Sequence, residues 1–211
     1  MHASSEASLF RERSSALGVR LTEDQAAKLL RLLDELLKWN ATYNLTAITR
    51  PEEMITHHLL DSLSVNGDLS GETVADVGTG AGFPGLPLAL VNPQRQFTLI
   101  DSNNKKVRFV AHAARTLGLG NVEAVHARAE GPHTGKPFDT VVARAFAALP
   151  ELLQKIAPLC GSETRVLAMK GKRPDDEIAA VALPWRMIET RPLAVPGLNE
   201  ERHLVTLRKQ P

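Results

Sequence analysis

Asp76-Val-Gly-Thr-Gly-Ala-Gly-Phe-Pro-Gly85 is the stretch whose reading decides the fold. A short β-branched, apolar run, Thr73–Val77, precedes it, and Leu86-Pro-Leu-Ala-Leu-Val91 follows. The order is strand, glycine turn, helix. Gly78, Gly80 and Gly82 stand at alternate positions. Such glycines let the backbone adopt φ > 0 and approach a ligand where a Cβ would collide. The dinucleotide fingerprint G-x-G-x-x-G fits poorly, because counting from Gly78 puts Phe83 at the third glycine. A phosphate-binding P-loop is excluded, since no G-K-[ST] follows and residues 71–104 contain no lysine.

The run does match D-x-G-x-G-x-G, with Asp76, Gly78, Gly80 and Gly82 at the fixed positions, and in this it resembles S-adenosylmethionine-dependent methyltransferases. That cofactor has no pyrophosphate, so neither a lysine nor a helix N-terminus need be aimed at one. One βα unit on, Phe97-Thr-Leu-Ile-Asp101 reads as a second strand ending in a carboxylate. It lies about 20 residues downstream, where such folds place the acid that accepts ribose hydroxyls. Asp101 is the leading candidate for a cofactor contact. The competing reading makes it a cap for the helix starting near Asn103.

The 211 residues suffice for one large α/β domain with a small extension. A net charge of +1 argues neither for nor against a polyanionic partner. The single cysteine, Cys160, excludes a disulfide framework and a cysteine-rich zinc site. No apolar run approaches the roughly 18 residues that span a bilayer, and the first residues lack the layout of a signal peptide. A soluble, cytoplasmic protein is expected.

Residues 1–20 read as a loosely attached helix or tail. A firmer helix starts at Thr22 with a Gln25 capping box. Its broad leucine face is expected to cover the sheet. Trp39 to Ile48 reads as an extended crossing, and Pro51 opens a helix through His57, His58, Asp61 and Leu63. His57 and Asp61 read as a hydrogen-bonded pair near the mouth of the site. A metal is not expected there, for want of further ligands. Downstream come a helix from Asn103 to Leu117 ended by Gly118, strands at 121–125, 138–143 and 164–169, helices at 147–159 and 174–181, and closing strands near 186–190 and 203–208. Strands alternating with helices imply a Rossmann-like, doubly wound, mostly parallel sheet of seven strands with an antiparallel edge. The division is residues 1–20 tail, 21–70 helical extension packed on the sheet, and 71–211 the α/β domain.

Gly78-Thr-Gly-Ala-Gly-Phe-Pro-Gly-Leu-Pro-Leu88 resembles the loop of one family, ribosomal RNA small-subunit methyltransferase G, also called glucose-inhibited division protein B. Trp39-Asn40, Asn44-Leu-Thr-Ala-Ile48, His57-His-Leu-Leu-Asp-Ser62, Phe138 to Ala145, Lys170-Gly171 and Glu201-Arg-His-Leu204 agree with it, over about residues 35–208. The resemblance implies methyl transfer from S-adenosylmethionine to N7 of one guanine in the decoding-region loop of bacterial 16S rRNA, as naked RNA or in the small subunit. It also implies cofactor contacts at Gly78 and Phe83, at Ala129 and Glu130 after the third strand, and at Arg144 after the fourth.

The residues after the fourth strand narrow the chemistry. Methyltransferases acting on exocyclic amines carry [DN]-P-P-[YF] there, and this chain has Ala143-Arg-Ala-Phe146. Attack on pyrimidine C5 needs an activated cysteine, and Cys160 has no activating context. Guanine N7 already carries a lone pair and loses no proton, so no catalytic acid, base or nucleophile is assigned. Lys105, Lys106 and Arg108 follow the second strand, Lys170, Lys172 and Arg173 the fifth, and Arg202 lies near the last. Of these, Lys105, Lys170, Lys172, Arg173 and Arg202 are assigned to RNA phosphates. At 4% aromatic residues little is offered for stacking beyond Phe146 and Tyr43. A monomer without metal is expected. A small-molecule methyltransferase and a non-catalytic RNA-binding or assembly factor remain as alternatives on the same fold.

Overall fold

The computed structural model describes residues 2–131 and 135–210, so the first residue of the expected tail and the last of the expected domain lie outside it. Seven strands form one sheet: β1 (Thr73–Val77), β2 (Gln96–Asp101), β3 (Val122–His126), β4 (Thr140–Arg144), β5 (Arg165–Lys170), β6 (Trp185–Pro192) and β7 (His203–Lys209). Their order is β3-β2-β1-β4-β5-β7-β6. β1 to β5 pair in parallel, and β7 runs antiparallel between β5 and β6. The chain leaves β1 toward one edge through β2 and β3, then returns to its other side for β4. The carboxyl ends of β1 and β4 therefore flank the crevice in which such sheets bind ligands.

Both faces of the sheet are covered, which is why β1, β4 and β5 read as nearly continuous apolar runs. Val74, Phe97, Leu99, Val142 and Leu167 face one buried cluster together with α5 (Gly85–Val91) and α6 (Asn104–Leu117). Ala75, Val77, Val141, Ala143, Val166 and Ala168 face the other with α7 (Leu149–Ile156). A short α8 (Asp175–Ala179) follows β5.

At the N-terminal side, α1 (His2–Ala16) buries Phe10 and Ser14, and Arg11 Nε donates to Leu21 O at 3.2 Å. α2 (Glu23–Tyr43) begins at the expected capping box, in which Thr22 and Gln25 satisfy each other's backbone N–H. Its buried Leu29, Leu32, Leu33 and Leu36 belong to the same cluster as α5 and α6. Leucines meant for the sheet thus pack on the helical layer that already covers it. The expected extended crossing from Trp39 is helix through Tyr43 instead. Trp39 and Tyr43, four apart on one face, lie 5.4 Å apart between ring centroids, and Trp39 also meets Phe109 of α6 edge-on at 5.6 Å. That packing outweighs the weak helix propensity of Asn40, Thr42 and Tyr43. Asn44, in the left-handed region at φ +50°, ends the helix.

Pro51 opens the next helix as expected, but its middle is wound differently. Between α3 (Pro51–Met54) and α4 (Asp61–Leu63) lies a six-residue π-helical segment, Ile55–Leu60. Such wide turns are uncommon and concentrate at functional sites.

Candidate active site

Two cavities open at the carboxyl edge of the sheet, on either side of the segment that follows β4. The first, of about 320 Å³, is lined by Gly78, Asp101, Lys106, Ala129, Glu130 and Phe146 among others. The second, of about 340 Å³, is lined by Ile48, His57, His58, Asp61, Arg144, Met169, Lys170, Gly171 and Arg202. Ala145 lines both.

The glycine turn builds the first wall. Gly78, Gly80 and Gly82 all have positive φ, and a Cβ on Gly78 would lie 2.2 Å from the Phe146 ring. Asp76 does not reach the cavity. It is fully buried behind the turn, where Oδ2 accepts from the Thr79 hydroxyl and from Gly85 N at 2.8 Å. Burial pushes its carboxyl up to about 6, against the pull of these hydrogen bonds. Gly85 makes the arrangement possible, because a Cβ there would come within 2.6 Å of Asp76 Oδ2. It performs the helix-on-strand packing that a third fingerprint glycine performs elsewhere.

Asp101 lies on the cavity wall. Its Oδ2 accepts from Gly80 N at 2.9 Å and its Oδ1 from Asn103 N at 2.8 Å. It is not the helix cap, since the Asn103 side chain accepts from Lys105 N at 3.0 Å. Each Asp101 oxygen keeps lone pairs for a ligand. Ala129 is buried in the wall, and Glu130, at its rim, stands 3.8 Å from Arg128. Of the residues expected to contact the cofactor, Gly78, Asp101, Ala129 and Glu130 line this one cavity. Gly80, Gly82 and Phe83 stay behind the wall, and Arg144 turns to the other cavity.

The π turn builds that second cavity. Arg144 donates to His57 O at 2.7 Å and to Asp61 Oδ2 at 2.8 Å. Arg202 Nε lies 3.3 Å from Asp61 Oδ1 and its NH2 donates to Glu200. Two guanidinium groups therefore share one carboxylate that is 2% exposed: Oδ2 accepts a hydrogen bond from Arg144, while Oδ1 is ion-paired with Arg202 but accepts no hydrogen bond. His57 and Asp61 do not bond to each other; His57 Nε2 is 3.4 Å from Glu200, and Arg144 links the pair. Phe83 is stacked on His58 at 4.7 Å, with the Arg144 guanidinium 5.7 Å from its centroid. Burial, with Arg144 and His57 nearby, pushes the His58 imidazole down to about 4, so it is neutral at pH 7.

Lys170 is not offered to solvent. Its Nζ donates to Ala147 O and to Glu177 Oε2, each at 2.7 Å, and its side chain is 14% exposed. Arg173 pairs with Asp175 on the surface, while Lys105 and Lys172 are exposed and line neither cavity. Lys106, not Lys105, reaches the first wall. Cys160 is buried outside both cavities, and burial pushes its thiol up to about 12. Among the described residues no group of acidic, histidine or cysteine side chains is arranged to hold a metal, and no helix is long and apolar enough to cross a membrane.

The family model described as rRNA small subunit methyltransferase G matches residues 25–205. Proteins named ribosomal RNA small subunit methyltransferase G are similar along nearly the whole chain. That of Azoarcus sp. (strain BH72) is 45% identical over 92% of this chain and 92% of its own. That of Xanthomonas campestris pv. campestris (strain 8004) is 48% identical over 90% and 89%. Among solved structures, a SAM-dependent methyltransferase from Aquifex aeolicus superposes with a TM-score of 0.54 at 19% identity, over 71% of this chain and 90% of that one. TrmN from Thermus thermophilus gives 0.58 at 19% identity, over 74% and 53%. At such identities the superpositions establish a shared fold.

Proposed function

The chain belongs to the rRNA small subunit methyltransferase G family, and from that premise we propose that it transfers a methyl group from S-adenosylmethionine to N7 of one guanine in the decoding-region loop of bacterial 16S rRNA. The observation that carries the reading is the pair of cavities meeting at Ala145, one lined by a carboxylate beside a glycine turn, the other by arginines and an uncharged histidine.

The first cavity fits the cofactor. Asp101 has acceptor capacity left for ribose hydroxyls, Gly78 brings backbone close to the ligand, and Ala129 and Glu130 would meet the base. When bound, S-adenosylmethionine supplies an electrophilic methyl group on a sulfonium. The remaining work falls to the chain. Asp76 and Gly85 keep the turn open from behind, and Arg144, fixed by Asp61, presents donors beside the acceptor. Guanine N7 loses no proton, so holding it in line suffices, and orientation can supply roughly 7 to 11 kcal/mol of the barrier. The buried, high-pKa Cys160 agrees with a reaction that uses no thiolate. Phosphates of the RNA would be met by Arg202 on the wall of the second cavity, by the exposed Lys172 and Arg173 that follow Gly171 in the chain, and by Lys105 on α6. A cytoplasmic monomer working on rRNA or the small subunit completes the proposal.

The test is transfer from labelled S-adenosylmethionine to small subunits and to protein-free rRNA, both from cells lacking this protein, followed by nucleoside identification. Label in 7-methylguanosine at one position is expected. Label in another nucleoside, or none despite cofactor binding, would overturn the proposal and leave a small-molecule acceptor or a binding role.

A further inference from the structure

β4 ends at Arg144, and the next residue is in a conformation its type disfavours. Ala145 has φ +48°, one of two described non-glycine residues with positive φ. The other, Asn44, closes α2, where asparagine is at ease. Alanine has no such aptitude, and glycine would take the same backbone at no steric cost. Strain of this kind persists only where neighbours over-determine it. Here they do so from both sides. Arg144 is tied to His57 O and Asp61, and the carbonyl of Ala147 is held by Lys170 Nζ at 2.7 Å. Between these anchors Ala145 stands exposed, on the wall of both cavities. A local conflict kept at the junction of two cavities points to use of the side chain that creates it.

We propose that the Ala145 methyl group is the partition at the transfer aperture, a positioning element that sets how far the acceptor base advances toward the cofactor. The inference rests on the rRNA reading above. Its chemistry is steric. The methyl group blocks overshoot of the base, and a larger side chain would stop the base short. A displacement of about 1 Å from the in-line arrangement can cost about a hundredfold in rate.

Two variants bracket the Cβ while suiting the left-handed backbone, Ala145→Gly without it and Ala145→Asn with more bulk. Both are compared with the wild type for melting temperature, S-adenosylmethionine affinity, and kcat and KM on small subunits lacking the modification. Both should melt no lower than the wild type, bind cofactor within about threefold of it, and lose about tenfold or more in kcat with KM little changed. A purely structural role for Ala145 would leave kcat unaltered in the better-suited Gly variant. Wild-type kcat in either variant would overturn the partition, and so would lost cofactor affinity, which would place residue 145 in the cofactor's own seat. If the wild type itself fails to label rRNA, the rRNA reading falls and the partition with it; if the wild type labels and both variants label equally well, the partition alone falls.

Discussion

Each oxygen of the Asp101 carboxylate already holds one backbone N–H, Oδ2 that of Gly80 and Oδ1 that of Asn103, so a ribose bound as proposed would use the remaining lone pairs. On the proposed function the same side chain shapes the turn and receives the ligand, and substitution separates the two. Asp101→Asn keeps one acceptor oxygen but loses the charge. We expect cofactor affinity to fall about tenfold or more and melting to drop by about 2 to 6 °C. Titration with S-adenosylmethionine well below the melting transition checks this, and unchanged affinity would remove Asp101 from the cofactor seat. Gly85→Ala probes the supporting contact. Its Cβ would sit 2.6 Å from Asp76 Oδ2 and 2.7 Å from Leu99 Cγ, so unfolding in denaturant should become easier by about 1 to 3 kcal/mol. Asp101 was legible in the sequence because a strand ending in a carboxylate has a fixed place in this fold. Gly85 stands in the same stretch, but its role is not legible there, because it is a close approach to Asp76 that only the docked helix creates. Lys105 and Lys106 are neighbours in sequence, and only the seating of α6 decides which one reaches the wall.

The connection from β4 to α7 depends on an element further along the chain. α7 has no capping side chain of its own at Ala148; instead Glu177 of α8 accepts from Leu149 N at 2.6 Å and from Lys170 Nζ at 2.7 Å. A carboxylate thus meets the positive end of one helix and neutralises a mostly buried lysine at the same time. Glu177→Ala should cost about 2 kcal/mol, or about 4 to 8 °C in melting temperature for a chain of this size. Adding Lys170→Met should recover part of the loss, because the lysine is no longer left unpaired. Strictly additive losses in that cycle would show the pair to be uncoupled. By the same contacts, Lys170→Met should leave the salt dependence of RNA binding unchanged, whereas Lys172→Ala with Arg173→Ala should flatten it. At this scale the sequence was informative where periodicity is strong. All seven strands lie within two or three residues of their expected positions. It was silent on the π turn, because a widened helix keeps the same apolar pattern. It misplaced the end of α2, because Trp39 on Phe109 is a contact across 70 residues of chain.

Acid stability of the whole molecule is set in part by two buried groups that contact the same turn, Asp76 through Thr79 and Gly85 and His58 through Phe83, and their effects have opposite sign. His58 is 6.5 as a free side chain and about 4 in the fold, so the stability of its neutral form is complete above pH 6.5 and is lost as the pH falls toward 4. Asp76 moves the other way, from 3.8 to about 6, so the fold prefers its protonated form, and that contribution is complete below pH 3.8 and lost as the pH rises toward 6. Between pH 7 and 4.5 each is worth about 2 to 3 kcal/mol, His58 against the fold on acidification and Asp76 in its favour. In the wild type they largely offset each other. Substituting one at a time exposes the other. The unfolding free energy of His58→Gln, followed in urea across that interval, should improve on acidification relative to wild type by about 2 to 3 kcal/mol. That of Asp76→Asn, which keeps an oxygen for Gly85 N, should worsen by about 2 kcal/mol. The carboxylates held low by ion pairs, such as Glu35 and Glu200, are common to all three proteins and cancel in the differences. Three parallel curves would mean that neither group changes its affinity for a proton on folding, and hence that the site is wetter than its packing requires.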